Sequence, residues 1–193
     1  MVKKDFVEIR IHGRGGQGAW TASILLARAA LFEGKYAQSF PEFGPERAGA
    51  PVTAYARIGN SPIHIHAGIT EADYVLVIDP TLIDRAKAGI RSKGKLIATT
   101  AKAPEEIRKF LGLNQDIEIW TVDAIKIALE TIGRPIANTA ILGAFVKATE
   151  GEIVSLDSLI RAIENILGHR LPQQIVQKNI EAVKRAYEEV RKG

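Results

Sequence analysis

Six residues near the start of the chain have types and spacing that could bind an anion. Gly13-Arg14-Gly15-Gly16-Gln17-Gly18 has the spacing G-x-G-x-x-G, between a β-branched run and a helical pattern. Glycines let the backbone turn tightly, and the start of a helix offers free N–H groups to a phosphate or carboxylate. The same glycines would also serve a tight strand-to-helix turn without a ligand. Arg14 and Gln17 at the loop tip could contact an anion or a partner chain.

A dinucleotide site needs more than this glycine loop. It requires an acidic residue at the end of the second strand, about 20 residues further on. That strand ends at Phe40, and the next acidic residue, Glu42, lies beyond a proline. No Lys-Ser/Thr pair follows Gly18, so the loop is not a nucleoside triphosphate loop of the Walker type. The pattern therefore disfavours a nicotinamide dinucleotide site.

A second segment, residues 39–51, contains three prolines and two glycines and predicts a rigid, non-repetitive loop. It follows the second strand, so we expect it at the same sheet edge as the glycine loop, where open α/β folds bind ligands. Glu46 and Arg47 in this loop could reach the edge of a site. They could equally form an ion pair that only holds the loop.

The 193 residues include no cysteine, which excludes disulfides, thiol nucleophiles and cysteine-ligated iron–sulfur clusters. His64 and His66 lie two apart on a predicted strand, but a metal site would need a third ligand. His12 fits a hydrogen bond at a strand end. We therefore expect no metal site on this chain.

The charge balance is mild, with 26 Lys and Arg against 22 Asp and Glu, but the middle of the chain is basic. Between Arg85 and Lys109 eight basic residues accompany two acidic ones. This stretch is either a solvated edge or a docking patch for an acidic partner or a polyphosphate. It lacks interleaved aromatic residues, which argues against nucleic acid.

Targeting and membrane signals are not evident in the sequence. No run reaches the ~18 apolar residues of a membrane helix. The charged start, Met1-Val2-Lys3-Lys4-Asp5, does not look like a secretory signal. We therefore expect a cytoplasmic protein that does not contact membranes.

Short β-branched runs alternate with helical patterns, which predicts an α/β fold with a mainly parallel, Rossmann-like sheet flanked by helices. We expect one domain over residues 1–193, with a helical C-terminal segment at about 137–193 and no strand beyond Pro135. Thr81 and Asp84 have capping-box spacing at the start of a helix. Residues 52–58 and 63–65 predict a small antiparallel hairpin. The other predicted strands are 6–11, 36–40, 74–78, 96–98 and 117–122, and the other predicted helices are 16–33, one starting at Asp123, 137–149, 156–167 and 173–191.

Several segments together resemble the gamma subunit of pyruvate:ferredoxin oxidoreductase. They are the glycine loop, Ser39-Phe40-Pro41-Glu42-Phe43-Gly44-Pro45-Glu46-Arg47, Ala54-Tyr55-Ala56-Arg57-Ile58, Ala72-Asp73-Tyr74-Val75-Leu76 and Asn138-Thr139-Ala140-Ile141-Leu142-Gly143. They follow the family's order over most of the chain and weaken after about residue 150. Ala48 departs from the family, which often has Arg or Gly there. The small subunit of indolepyruvate oxidoreductase is similar at the glycine loop, whereas residues 41–47 favour the pyruvate type.

The resemblance implies a non-redox subunit that contributes no catalytic residue and has no activity alone, in some organisms shared with a 2-oxoisovalerate enzyme. Such complexes convert pyruvate and coenzyme A to acetyl-CoA, CO₂ and reduced ferredoxin. Thiamine diphosphate, Mg²⁺ and [4Fe–4S] clusters are then expected on the alpha, beta and delta partners, and none on this chain. The chain would complete the complex and line the approach of coenzyme A or substrate. Its candidate binding residues are Gly13, Arg14, Gly15, Gly16, Gln17, Gly18, Glu46 and Arg47.

Two other interpretations stay open from the residues themselves. One is a free-standing module that binds a phosphate, a nucleotide or an acyl carrier without catalysis. The other is an independent dehydrogenase, which the missing carboxylate after the second strand disfavours. The sequence does not decide which 2-oxoacid a complex containing this chain would use.

Overall fold

The computed structural model describes residues 5–42, 48–65 and 67–193. The predicted site residues Glu46 and Arg47, and the predicted possible ligand His66, lie outside the described residues.

The core of the fold is a seven-stranded sheet in the order β2-β3-β1-β4-β5-β6-β7. The strands β1, β4, β5 and β6 are parallel, β3 is antiparallel to both β1 and β2, and β7 is antiparallel to β6. The predicted mainly parallel α/β class is therefore confirmed. The strands are β1 (Phe6–Arg14), β2 (Tyr36–Pro41), β3 (Pro51–Gly59), β4 (Ala72–Val77), β5 (Ile90–Thr99), β6 (Glu118–Val122) and β7 (Arg191–Lys192).

Helices cover the two faces of the sheet unequally. Helix α1 packs on β1, β2 and β3, and α5 packs on β5 and β6 on the same face, with α6 and α7 behind them. On the other face α2 packs on β4 and β5, and α3 on β6. The helices are α1 (Ala19–Phe32), α2 (Ile83–Lys87), α3 (Pro104–Leu111), α4 (Ala124–Thr131), α5 (Ala140–Ala148), α6 (Leu156–Leu167) and α7 (Gln173–Glu189).

The alternation of side chains along β1 separates an apolar face from a charged one. Ile9 and Ile11 are fully buried against α1 and its neighbours. Glu8, Arg10 and His12 lie on the opposite face because successive side chains of a strand point to opposite sides. On the face of the sheet away from α1, the central strand β1 therefore carries polar and charged side chains, where a central strand would ordinarily carry apolar ones.

The predicted hairpin is wrong in its second strand. Residues 63–65 form no strand; their carbonyls accept hydrogen bonds from side chains, Ile63 from Gln38 (2.9 Å) and Ile65 from Arg57 (3.3 Å). Strand β3 instead pairs with β1 and β2. β3 thus pairs with the strand just before it, β2, and also with β1, which is distant in sequence, and local turn signals do not reveal the pairing with β1.

Three further features of the fold differ from the prediction. The predicted capping box at Thr81 and Asp84 is wrong, because the Asp79 side chain accepts from the Thr81 amide (2.9 Å) and caps a 3₁₀ turn, Pro80–Leu82, that precedes α2. Helix α3 lies in a segment for which we predict no element. Strand β7 lies beyond Pro135, where we expect only helices, while the three predicted C-terminal helices are confirmed as α5, α6 and α7.

Candidate functional site

The glycine loop places the start of α1 at the carboxyl end of β1. Gly18 is the N-cap in a left-handed conformation (φ 78°), and its carbonyl accepts the first helical bond from Ala22 (2.9 Å). The amides of Ala19, Trp20 and Thr21 therefore have no acceptor within the helix. No acidic residue lies in the first turn. These amides and the positive end of the helix dipole favour an anion.

Arg14 and Gln17 hold the loop from within. The Arg14 amide donates to Gln17 Oε1 (2.8 Å), and Gln17 Nε2 donates to Asp79 Oδ2 (2.6 Å). The Arg14 guanidinium donates to Thr81 Oγ1 (2.7 Å) and to the Gly49 carbonyl (3.1 Å). In this structure both side chains therefore position the loop, and Arg14 also lines the cleft beside it.

Asp79 anchors this arrangement as a carboxylate. Burial alone would raise the pKa of Asp79, but hydrogen bonds from Thr81 and Gln17 and the nearby charge of Arg14 lower it. The Arg14 Nε lies 3.4 Å from Asp79 Oδ2. The ion pair neutralises the carboxylate, so it does not oppose an anion at the start of α1.

A cleft of about 500 Å³ opens beside the glycine loop. Trp20, 54% exposed, stands at its edge, and Thr21, Pro41 and Thr53 contribute to its wall. Its remaining lining comes from Arg14, Gly15, Gly16, Gly18, Ala19, Val52 and Ala54. An aromatic ring beside backbone donors suits a ligand with both an anionic and an apolar part.

Gly49 and Ala50, in the predicted loop at residues 39–51, meet the glycine loop at one sheet edge, as predicted. The Gly15 amide donates to the Ala50 carbonyl (2.8 Å), and the Gly49 amide donates to the Gly15 carbonyl (3.1 Å). Glu42, at the end of β2, does not reach the cleft with a free carboxylate: it accepts a hydrogen bond from the Tyr55 hydroxyl (2.9 Å).

Asn138 is a positioning residue that motif spacing alone does not identify. Its Nδ2 donates to the Gly18 carbonyl (3.3 Å), although 120 residues separate the two in sequence. A Cβ at Gly18 would overlap this Asn138 side chain. The start of the segment leading into α5 thus fixes the turn that presents the amides of α1.

A second charged group lies on the face of the sheet away from α1. Arg57, only 1% exposed, donates through Nε to Glu8 Oε1 (3.1 Å) and through Nη2 to the Ala67 carbonyl (2.7 Å). Arg91 pairs with Glu8 (3.1 Å) and with Asp73. Two guanidinium groups thus face two carboxylates, and this balance lets the Arg57–Glu8 pair be buried.

Several basic residues between Arg85 and Lys109 bind other groups of the same chain. Arg91 joins the cluster above, Lys95 pairs with Glu118 (3.0 Å), and Arg108 donates to the Ile117 carbonyl (2.8 Å). The stretch is therefore not one uniform docking patch.

Two general properties bear on the kind of site. Among the described residues, no group of three or more His, Asp or Glu side chains could hold a metal ion. No helix in the described part of the chain is both long enough and apolar enough to cross a membrane.

The fold and the cleft define an α/β chain that presents unpaired backbone N–H donors at a helix start. The family model described as pyruvate ferredoxin/flavodoxin oxidoreductase matches residues 8–189. The chain belongs to this family, and its resemblance to the gamma subunits is confirmed.

Curated relatives match nearly the whole chain. The pyruvate/ketoisovalerate oxidoreductases common subunit gamma of Pyrococcus furiosus is 48% identical, covering 94% of this chain and 96% of the relative. The pyruvate synthase subunit PorC of Thermotoga maritima is 46% identical, covering 98% of this chain and 97% of the relative.

Solved structures show the same fold. The crystal structure of pyruvate oxidoreductase subunit PORC from Thermotoga maritima has a TM-score of 0.84 at 43% identity, covering 98% and 99% of the two chains. The gamma subunit of a keto/oxoacid ferredoxin oxidoreductase from Geobacter sulfurreducens has a TM-score of 0.76 at 26% identity, covering 96% and 97%. A 2-oxoglutarate:ferredoxin oxidoreductase from Magnetococcus marinus contains this fold in 31% of its chain, at 17% identity and a TM-score of 0.78.

Proposed function

We propose that this chain is the gamma subunit of a cytoplasmic complex that oxidatively decarboxylates pyruvate with coenzyme A to acetyl-CoA and CO₂ and reduces ferredoxin. The near full-length match to relatives named pyruvate synthase subunit PorC carries this proposal. The chain has no cysteine, so it supplies no thiolate ligand for an iron–sulfur cluster. Alpha, beta and delta partners would hold thiamine diphosphate, Mg²⁺ and the [4Fe–4S] clusters, and the chain would act as one domain within that assembly.

The proposed role of this chain in the reaction is to line the approach of coenzyme A. Coenzyme A combines phosphate groups, a flexible apolar arm and an aromatic base. The free amides of Ala19, Trp20 and Thr21 provide donors for a phosphate, and the Trp20 ring provides an apolar surface beside them. Gly13 to Gly18 shape the loop, with Arg14 and Gln17 holding it against Asp79. Glu46 and Arg47 are proposed to complete the site.

Thr21→Glu in the assembled complex tests this role. Thr21 is the third residue of α1, and a Glu there can fold back on the free amides at the helix start. It would neutralise the site without unfolding the helix, because a carboxylate in the first turn stabilises a helix. Loss of about 1.4 kcal/mol of phosphate binding raises KM for coenzyme A about tenfold. KM for pyruvate should stay unchanged.

Trp20→Ala and Phe110→Ala form a matched pair of exposed aromatic truncations, with Trp20 at the cleft and Phe110, 61% exposed, on α3 away from it. Trp20→Ala should raise KM for coenzyme A about fivefold, since an aromatic contact contributes about 1 kcal/mol. Phe110→Ala should change it by less than about twofold. Equal KM for coenzyme A in wild type, Thr21→Glu and Trp20→Ala would show that the cleft does not bind it.

A further inference from the structure

Helix α1 is apolar on every side, although one of its sides faces outward. Arg28 is the one charged residue among the 14 residues of the helix. The helix packs on β1, β2, β3 and α6. A helix at the surface ordinarily carries polar residues on its outer side, and a helix that is apolar all round is ordinarily buried. The outer side of α1 is therefore suited to contact with another protein.

The outward residues of α1 form a continuous row, the α1 stripe. It consists of Trp20, Ile24, Ala27 and Leu31, whose spacings of four, three and four residues place them on one side of the helix. Trp20 is 54% exposed and Leu31 51%, and the two residues between them are half-buried. The row is about 16 Å long. Contiguous exposed apolar surface, unlike scattered apolar residues, marks a site of contact.

Two arginines lie along one flank of the α1 stripe. Arg28 precedes Leu31 by three residues, which places it beside the stripe on the same helix. Its guanidinium lies 5.2 Å from the Phe32 ring centre, and that of Arg161, on α6, lies 4.5 Å from the same centre. Arg28 donates to the Asn165 side-chain oxygen (2.9 Å). In the part of the chain that the structure describes, neither guanidinium forms an ion pair, so both are suited to a carboxylate from another chain.

The acidic residues of α6 do not neutralise these arginines. Asp157 and Glu164 are exposed, four residues before and three after Arg161, but among the described residues no ion pair joins them to Arg161 or to Arg28. A second copy of this chain is a poorer fit to the stripe than a different partner. Because α1 has no acidic residue, two copies packed stripe to stripe would bring like charges to one apolar contact.

We propose that the α1 stripe docks another subunit of the complex, one whose surface combines an apolar patch with a carboxylate that meets Arg28 and Arg161. The apolar side chains would lose water in the contact, and the guanidinium groups would donate to the carboxylate. Tryptophan and arginine are among the residues that dominate protein–protein binding. Because Trp20 also stands at the edge of the cleft beside the glycine loop, that subunit would reach the cleft and complete its wall. This inference rests on the proposed function.

The absence of cysteine allows a direct test of whether the α1 stripe is covered in the complex. Leu31→Cys and Leu129→Cys form a matched pair, since Leu129 is 49% exposed and is also a leucine near the end of a helix, α4. The rate of maleimide labelling is read on this chain by mass spectrometry, free and in the complex reassembled from its subunits. Assembly should slow labelling at least about tenfold for Leu31→Cys and less than about twofold for Leu129→Cys.

The affinity of the full-length chain for the other subunits measures the contact itself. Leu31→Glu should weaken binding at least about thirtyfold, because it places a charge in an apolar contact. Leu129→Glu should stay within about twofold of wild type. Arg161→Glu should weaken binding about tenfold and Arg161→Gln less, because the reversed charge repels the carboxylate of the partner. Thermal unfolding of each variant chain checks that the fold persists.

The outcomes separate this inference from the proposed function. Labelling of Leu31→Cys that assembly does not slow, or slows equally for Leu129→Cys, would overturn docking at the α1 stripe and leave the proposed function intact. A folded Arg161→Glu chain with wild-type affinity would overturn the carboxylate of the partner. A free wild-type chain that sediments as a dimer, which Leu31→Glu converts to a monomer, would assign the stripe to a second copy and also overturn the inference. A wild-type chain that does not assemble with the other subunits would overturn both proposals.

Discussion

Replacing Gly143 by Ala should destabilise the chain, because the packing that it disturbs outweighs the helix propensity that it gains. Gly143 lies inside α5, where Ala would normally stabilise the helix by about 1 kcal/mol. Here a Cβ would overlap the Val183 carbonyl oxygen of α7 and lie 2.9 Å from the Val183 carbonyl carbon and 3.1 Å from the Tyr187 amide nitrogen. These are backbone atoms, which cannot rotate aside as a side chain would.

The size of this destabilisation follows from how far the two helices must move apart. Relieving the overlap requires α5 and α7 to separate by roughly 1 Å, a gap that forfeits about a quarter to a half of the dispersion energy of facing atoms. Overpacking of this kind costs about 3 kcal/mol at the upper end of its usual range. After the gain in helix propensity of about 1 kcal/mol, the net destabilisation is about 2 kcal/mol. In a chain of this length, that lowers Tm by about 4–8 °C.

Urea and thermal unfolding of the purified chain measure this change. Gly68→Ala is the matched control, since Gly68 has no atom within 4 Å of the added Cβ and no positive φ. The control should stay within about 0.5 kcal/mol of wild type. A Gly143→Ala chain as stable as wild type, or more stable, would show that the close approach of α5 and α7 does not constrain this position.

Three further predictions concern stability and the glycine loop. Burial alone would raise the pKa of Glu33, but hydrogen bonds from Ser155, Lys35 and Ser158 lower it to about 2. The contribution of ionised Glu33 to the stability of the fold is therefore present above about pH 4.5 and lost as pH falls towards 2. The Tm difference between wild type and Glu33→Gln should be largest at pH 7 and shrink below pH 4.5. Arg57→Leu should reduce the free energy of unfolding by about 3–5 kcal/mol in urea, because it removes one member of a buried ion pair; a loss below about 1 kcal/mol would contradict this reasoning. Asp79→Ala should raise KM for coenzyme A in the complex by loosening Arg14 and Gln17, whereas Asp79→Asn, which keeps an acceptor, should raise it less; equal effects would argue against positioning through hydrogen bonds.

Local patterns were sufficient to predict most helices and parallel strands. Helix α6 has its bounds where the apolar spacing of Leu156 to Leu167 places them, and α4 begins after Asp123, whose side chain accepts from the Lys126 amide (3.1 Å). Helix α3 was missed in the prediction although it has local signals, with Pro104 in its first turn and Gly112 in a left-handed conformation at its end. These elements depend on residues close in sequence, which a pattern can show.

The antiparallel edge and the internal contacts of the site could not be predicted in this way. The pairing of β1 with β3 joins Arg10 to Tyr55, and Asn138, 120 residues further along the chain, donates to the Gly18 carbonyl. The glycine loop was predictable by its spacing, but the attachment of Arg14 and Gln17 to Asp79 was not, since it depends on a residue 62 positions beyond Gln17. Such contacts depend on tertiary packing and not on spacing.

The strand order also limits how this fold could be re-engineered. In the dinucleotide-binding order, the strand that carries the ribose-binding acid lies directly beside the first strand. Here β3 separates β2 from β1, which at about 4.8 Å per strand places the end of β2 roughly 10 Å from β1. Introducing an acidic residue at Phe40 would therefore not convert the glycine loop into a nicotinamide site. A change of ligand class would require removing a strand from the sheet, so the glycine loop can vary in sequence without readily acquiring dehydrogenase chemistry.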